Sequence, residues 1–130
     1  MTFPAAISAC PCGSGTAYAA CCGPLHDGEP AATAEALMRS RYAAYVLGRS
    51  DHVLRTWHPR TRPDDVAPDP GTTWLGLEVL RTVDGGPGAD SGVVEFVARF
   101  RGSRGEESLH ETSRFERRSG RWVYVDGDVR

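Results

Sequence analysis

The sequence predicts an α+β fold in which a small cysteine-rich knuckle precedes one domain of two helices and an antiparallel sheet. All four cysteines fall between residues 10 and 22. From residue 33 to residue 48 the apolar positions recur at helical spacing, and from Trp74 onward they alternate with polar positions, as in strands. A chain of 130 residues is long enough for one modest core.

The cysteine cluster has the spacing of a metal site. One residue separates Cys10 from Cys12, and Cys21 is adjacent to Cys22. Nearby glycines allow the backbone to turn back, so that four thiolates converge on one tetrahedral ion. We expect zinc, and a four-thiolate site also accepts iron. Because four protein ligands close the site, the metal would be structural.

Two disulfides and a catalytic thiol are the alternatives to a metal. No charged segment followed by an apolar stretch opens the sequence, so we expect a cytoplasmic protein with reduced thiols. Adjacent cysteines such as Cys21 and Cys22 also pair poorly with each other. Both points favour a metal, and a catalytic thiol is the least favoured interpretation. His26 could replace one thiolate, although its position favours a loop residue.

The run from Cys10 to Gly23 resembles the SEC-C motif, a small zinc-binding element best known from the preprotein translocase ATPase. Five later segments resemble the YchJ family of bacterial proteins: residues 37–42, 56–59, 74–77, 110–115 and 122–127. The resemblance implies a SEC-C knuckle over residues 1–26 and a cone-shaped nuclear-transport-factor-2-like domain over residues 27–130, with two helices packed on a curved antiparallel sheet. It implies no particular activity.

Capping signals mark where both predicted helices begin and end. Thr33 is the predicted N-cap of the first helix, which Gly48 ends. Ser50 is expected to cap a second helix over residues 51–57, which the His-Pro pair at 58 and 59 terminates. Residues 23–32 contain two prolines and two glycines and predict a linker. We therefore expect a chain that begins near Ala31 to fold without the knuckle.

Four strands are predicted after a loop over residues 60–73. They cover residues 74–83, 92–101, 106–117 and 121–126. Short glycine-containing turns join them, so the sequence predicts an antiparallel meander.

Composition argues against two classes of function. Fifteen basic residues and 17 acidic residues give a net charge of −2, which offers no electrostatic case for nucleic-acid binding. No stretch of about 18 apolar residues occurs, so no membrane span is predicted.

Alternation on the third strand turns Glu111 and Ser113 toward the core. A carboxylate among apolar neighbours needs a partner. We expect Arg41 rather than Arg39 to pair with Glu111, because Arg41 lies one helical turn from Tyr45 on the face toward the sheet. If that pair is buried, Glu111→Ala should cost about 3 to 5 kcal/mol, whereas an exposed pair should cost less than about 1 kcal/mol.

A curved sheet closed by helices often leaves a cavity at one end. The residues expected to line it are aromatic or polar: Arg41, Tyr42, Tyr45, Trp57, His58, Trp74, Glu111, Ser113, Tyr124 and Asp126. The same residue types are also typical of a plain core. His58 could act as an acid or base, or simply end a helix. His52 and His110 are expected to be exposed.

The leading hypothesis is a cytoplasmic zinc-binding adaptor that contacts a protein partner through the knuckle, with Pro11, Tyr18 and Leu25 as contact groups. The alternative is a small-molecule binding protein or an enzyme that uses the cavity. No catalytic motif occurs, so the sequence assigns no catalytic residue. A filled interior would favour the adaptor. An open pocket that holds Glu111, His58 and an arginine without full ion pairing would favour the alternative.

Overall fold

The structure is a computed structural model that describes residues 8–67 and 69–130. A 3₁₀ turn (Tyr18–Ala20) is followed by helices α1 (Cys22–His26), α2 (Ala34–Leu47) and α3 (Ser50–Arg55), and then by strands β1 (Thr73–Asp84), β2 (Ser91–Gly102), β3 (Gly105–Arg118) and β4 (Arg121–Val129). The α+β prediction is confirmed. None of the described helices has the length and apolar character needed to cross a bilayer.

Helix α2 has the predicted ends. The backbone N–H of Ala36 donates to the Thr33 hydroxyl oxygen at 3.0 Å, and Gly48 adopts the left-handed conformation with a φ of 73°. Helix α3 differs from the prediction, because it ends at Arg55 and no side chain caps its start. The chain leaves the helix early because residues 56–58 pair with β4 through two backbone hydrogen bonds of 2.7 and 2.8 Å.

The four strands form one antiparallel sheet in the order β1-β2-β3-β4, which confirms the meander. Strand β4 contains a bulge: Tyr124 pairs with Phe115, whereas Asp126 pairs with the preceding residue Arg114, so Val125 is an extra residue. The bulge reverses the alternation of side chains. Asp126 therefore lies on the outer face, 2.5 Å from the Arg114 guanidinium, and its predicted place toward the interior is wrong.

The core lies between α2 and the face of the sheet that this helix covers. Its buried members are Ala34, Leu37, Met38, Tyr42, Val94, Phe96, Ala98, Phe115 and Trp122. Burying each large apolar side chain contributes roughly 1.5 to 3 kcal/mol, so this layer accounts for most of the attraction between helix and sheet.

The knuckle packs directly on α2. Residues 22–26 form α1 rather than the start of a linker, so that part of the linker prediction is wrong. Cys10, Cys12 and Cys22 form a buried cluster with Ala43, and the Arg39 guanidinium donates to the Cys12 carbonyl at 2.8 Å. Because a chain that begins near Ala31 would lose these contacts, we expect its stability to fall below that of the full chain. The division between residues 26 and 27 stays a prediction.

Two buried histidines lie between the knuckle and helices α2 and α3. His26 is buried, so its assignment to a loop is wrong: it donates from Nε2 to the Ser40 carbonyl at 2.8 Å, and its Nδ1 lies 2.7 Å from the Tyr18 hydroxyl. His52 is only 1% exposed, so its predicted exposure is also wrong. Its Nε2 lies 2.9 Å from the Ser40 hydroxyl. His110 does lie on the outer face, half-buried, 2.7 Å from Glu95.

Acid should destabilise the protein through His52. Burial, followed by the charges of His26, Arg55 and Arg41, lowers the pKa of His52 from 6.5 to about 3, while Asp51 acts in the opposite direction. The unfolded chain then binds the extra proton between those pH values, so the stability present above pH 6.5 is lost as the pH falls toward 3. The difference corresponds to roughly 4 to 5 kcal/mol.

Urea unfolding between pH 7 and pH 4 measures this loss. We expect the His52→Gln variant, which keeps a donor for Ser40, to lose less stability with acid than the wild type does. The His110→Gln variant is the surface comparison: it should keep the loss that His52 causes, because it leaves the buried contact between His52 and Ser40 intact. Identical pH dependence in all three proteins would contradict the assignment.

Candidate metal site and candidate ligand cavity

The four cysteine sulfurs lie within 4.8 Å of one another, and none forms a disulfide. The sulfur of Cys21 is 3.6 Å from that of Cys12 and 3.9 Å from that of Cys22. A tetrahedral ion with metal–sulfur bonds of about 2.3 Å separates its ligands by about 3.8 Å. A disulfide bond is much shorter, at about 2.05 Å. The residues present therefore fit a four-thiolate metal site.

The backbone of the knuckle explains this convergence. Gly13 and Gly15 adopt φ values of +81° and +85°, which side chains disfavour, and they allow a tight hairpin. The Cys10 N–H closes the hairpin by donating to the Thr16 carbonyl at 2.9 Å. Ser14, at the tip, places its hydroxyl 3.1 Å from the Cys21 sulfur. The first cysteine pair is thereby brought beside the start of α1, where Cys21 precedes the helix and Cys22 is its first residue.

Crowding changes the acidity of the thiols. The hydrogen bond with Cys22 lowers the pKa of Cys12 to about 4, and the same contact raises the pKa of Cys22. Thiolates this close repel one another unless a cation balances them. A bound ion would supply that balance and cross-link the hairpin to α1. With four protein ligands it would have no open position for chemistry.

A cavity of about 340 Å³ lies between α2 and the sheet. Eight of the ten predicted residues line it: Arg41, Tyr42, Tyr45, Trp57, Trp74, Glu111, Ser113 and Tyr124. The other lining residues, which the sequence analysis did not assign to the cavity, are Met38, Phe96, Ala98, Leu109 and Phe115. Alternation along β2 and β3 carried a signal for the last four, because it turns them toward the core.

His58 lies outside the cavity, contrary to the prediction. In the extended segment over residues 56–58, Trp57 faces inward and packs edge-on against Tyr124, with 5.1 Å between ring centroids. Neighbouring residues of an extended segment point to opposite sides, so His58 faces outward. Its Nε2 lies 3.4 Å from the Glu116 carboxylate.

Glu111 forms no ion pair with Arg41, so the predicted pair is wrong. One carboxylate oxygen, Oε2, accepts hydrogen bonds from the Ser113 hydroxyl at 2.5 Å and from the Tyr124 hydroxyl at 3.2 Å. The charge of Glu111 contributes to the raised pKa of Tyr124, after burial. Gly127 lies across the strand pair, and a Cβ atom there would overlap the Glu111 side chain, so the glycine provides the space that this carboxylate occupies.

Arg41 points into the domain as predicted, but its partners differ. Its Nη1 donates to the Val53 carbonyl at 2.7 Å and to the Thr56 hydroxyl at 2.8 Å. The guanidinium carbon lies 5.0 Å from the Trp57 ring centre and 4.6 Å from that of Tyr124. Burial lowers the pKa of Arg41 to about 10, so the group stays charged at neutral pH. No carboxylate within residues 8–67 and 69–130 forms an ion pair with it.

Comparisons with known proteins identify the family. Residues 33–127 match the family model described as YchJ, middle NTF2-like domain, and residues 8–24 match the SEC-C motif. The chain belongs to the YchJ family. Both the resemblance stated from the sequence and the fold class are confirmed by these matches. The two matched segments contain the cysteine cluster and every residue that lines the cavity.

Relatives in the YchJ family extend over nearly the whole chain. A UPF0225 protein of Streptomyces coelicolor is 56% identical over 120 residues, which cover 92% of this chain and 94% of the relative. Another, from Ralstonia nicotianae, is 50% identical over 142 residues, covering 99% and 96%. The solution structure of a SEC-C motif containing protein from Rhodopseudomonas palustris has a TM-score of 0.80 and 42% identity, covering 92% of this chain and 96% of that one.

Proposed function

We propose that this protein binds a small organic ligand in the cavity and holds one structural zinc ion in its knuckle. The observation that carries the ligand proposal is that Arg41 and Glu111 line one cavity without pairing with each other. Buried charges are usually paired, because removing them from water is costly. Polar groups that converge in an apolar pocket are a feature of ligand sites.

The size and lining of the cavity support this proposal. Its volume falls within the range of about 300 to 1,000 Å³ that small-molecule sites occupy. Trp74 packs against Tyr42 and Tyr45, with centroid distances of 5.7 and 6.1 Å, and these rings supply apolar walls. Tyr45 is 41% exposed and therefore borders the opening. Among the described residues no histidine or cysteine lines the cavity, and Glu111, its one carboxylate, is hydrogen-bonded to Ser113 and Tyr124, so we propose binding rather than catalysis.

The zinc proposal rests on four soft ligands at tetrahedral separations. Close free thiols persist in a reducing compartment, which supports a cytoplasmic protein. The adaptor hypothesis receives less support. Pro11 and Leu25 are half-buried, and the Tyr18 hydroxyl is engaged with His26, so the contact groups expected of the knuckle are partly used within the chain. A protein partner stays a prediction.

Binding of a neutral fluorescent probe, N-phenyl-naphthylamine, tests the cavity. Trp57 and Trp74 line it, so a bound probe should quench their emission as its own rises. We expect saturable binding to the wild type and binding at least about tenfold weaker to Ala98→Leu, which fills the cavity. The matched control is Ala32→Leu, on the exposed surface. Equal binding to both variants would place the probe elsewhere.

A further inference from the structure

The two charged side chains of the cavity have unused hydrogen-bonding capacity. A guanidinium has five N–H donors, and Arg41 uses only Nη1 within the described chain, so Nε and Nη2 donate to no described residue. Arg41 is only 7% exposed, so bulk water does not surround these donors. The rings of Trp57 and Tyr124 lie toward the same side of the guanidinium, since their centroids are 5.1 Å apart. A ligand can therefore reach Arg41 along the free edge of the guanidinium.

Glu111 offers a free hydrogen-bond acceptor, whereas Arg41 offers free donors. Its Oε2 accepts from Ser113 and Tyr124, and among the described residues no donor reaches Oε1. A carboxylate has about four acceptor positions, so at least one oxygen is available to a donor in the cavity. Gly127 provides the space in which this carboxylate lies.

Tyr124 connects the two groups. Its ring lies 4.6 Å from the Arg41 guanidinium carbon, and its hydroxyl lies 3.2 Å from Glu111 Oε2. The free donors and the free acceptor are thus about one tyrosine side chain apart on the same wall of the cavity. A small molecule lying along Tyr124 can contact both.

The charges of the cavity then determine the ligand class. An anion would gain Arg41 but would face Glu111, and a cation would face the opposite conflict; like charges repel strongly away from water. On the basis of the proposed function, we infer that the cavity selects a ligand of zero net charge with an acceptor for Arg41 and a donor for Glu111, carried on an apolar or aromatic body. A primary amide on an aromatic ring has this chemistry.

Three probes of nearly the same shape test this selectivity by calorimetric titration: neutral benzamide, anionic benzoate and cationic benzamidine. We expect the wild-type protein to bind benzamide at least about tenfold more tightly than either ion, because each ion meets one like charge. Tighter binding of benzoate or benzamidine would overturn the inference.

Failure of the inferred selectivity can be distinguished from failure of the proposed ligand-binding function. If the naphthylamine probe binds the cavity but the protein does not bind benzamide more tightly than benzoate and benzamidine, only the inferred selectivity fails. If neither the naphthylamine nor any of the three probes binds, the ligand-binding function fails with it. The wild-type comparison depends on no variant, so a failure to fold cannot obscure it.

One conservative variant sharpens the test. Glu111→Gln removes the negative charge and keeps the side-chain shape, so benzoate should gain at least about tenfold and benzamidine should weaken. Glu107→Gln, on an exposed part of β3, is the matched control and should leave all three affinities unchanged. Unchanged affinities in Glu111→Gln would contradict a ligand contact at this carboxylate.

Discussion

The double variant Cys21→Ser, Cys22→Ser is expected to lose the metal and to be less stable than the wild type by several kcal/mol. The substitutions leave two thiolates, which cannot complete a tetrahedral site. Structural zinc contributes about 10 to 16 kcal/mol of apparent binding free energy in isolated zinc-finger peptides, and part of that energy stabilises the fold. The knuckle packs on Ala43, and its Cys12 carbonyl accepts a hydrogen bond from Arg39, so unfolding of the knuckle also exposes part of α2.

Elemental analysis of protein purified without added metal should find one zinc ion per wild-type chain and little or none in the double variant. Thermal unfolding of both proteins measures the loss of stability. Ser14→Ala is the milder comparison: it removes only the hydroxyl beside the Cys21 sulfur, so we expect it to keep the ion with affinity lower by about 10- to 100-fold. Four freely titratable thiols in metal-replete protein would contradict the site. Iron in place of zinc would correct the identity of the metal alone.

Arg41→Met is expected to destabilise the protein by about 2 to 4 kcal/mol. The change leaves the Val53 carbonyl without its guanidinium donor, and each buried polar group that loses its partner costs about 1 to 3 kcal/mol. It also removes the cation that lies over the rings of Trp57 and Tyr124, and leaves the Glu111 carboxylate without the longer-range attraction of that cation. Arg101→Met breaks only an exposed ion pair with Glu106 and should cost less than about 1 kcal/mol.

Glu111 provides the comparison within the cavity. Because it forms no ion pair with Arg41, we expect Glu111→Ala to cost less than the 3 to 5 kcal/mol or so of a broken buried pair. Adding Glu111→Leu to Arg41→Met should recover part of the loss, because it removes the carboxylate left without that attraction. Chemical denaturation measures these differences in the wild type, in the three single variants Arg41→Met, Arg101→Met and Glu111→Ala, and in the Arg41→Met, Glu111→Leu double variant. A nearly neutral Arg41→Met would show that the guanidinium does not anchor α3.

Local signals in the sequence predicted the elements well. Two residues were sufficient to predict the ends of α2: Thr33, which caps its start, and Gly48, which adopts a positive φ at its end. The strands were predicted within a few residues because apolar alternation and short glycine turns both act over neighbouring positions. The cysteine spacing likewise predicted the cluster, since few backbone paths join such close pairs.

Contacts between distant segments were not predictable in this way. Burial of His26 and His52 depends on Ser40, which lies 14 and 12 residues away, and a neutral histidine has no distinctive sequence pattern. His58 was misplaced because its direction follows from pairing with a strand more than 60 residues later. Arg41 was correctly directed inward, but its main partner is a backbone carbonyl, which the sequence does not distinguish from any other.

The extra residue at Val125 determines what the carboxyl end of β4 contributes to each side of the sheet. If Val125 paired with Arg114 and no bulge formed, Asp126 would take the place opposite Ser113 and enter the cavity near Glu111, and Gly127 would turn outward. Two carboxylates would then share one aromatic enclosure, and one of them would have to take up a proton. A one-residue shift of register at this point would thus convert a neutral binding site into an acidic one without altering any side chain.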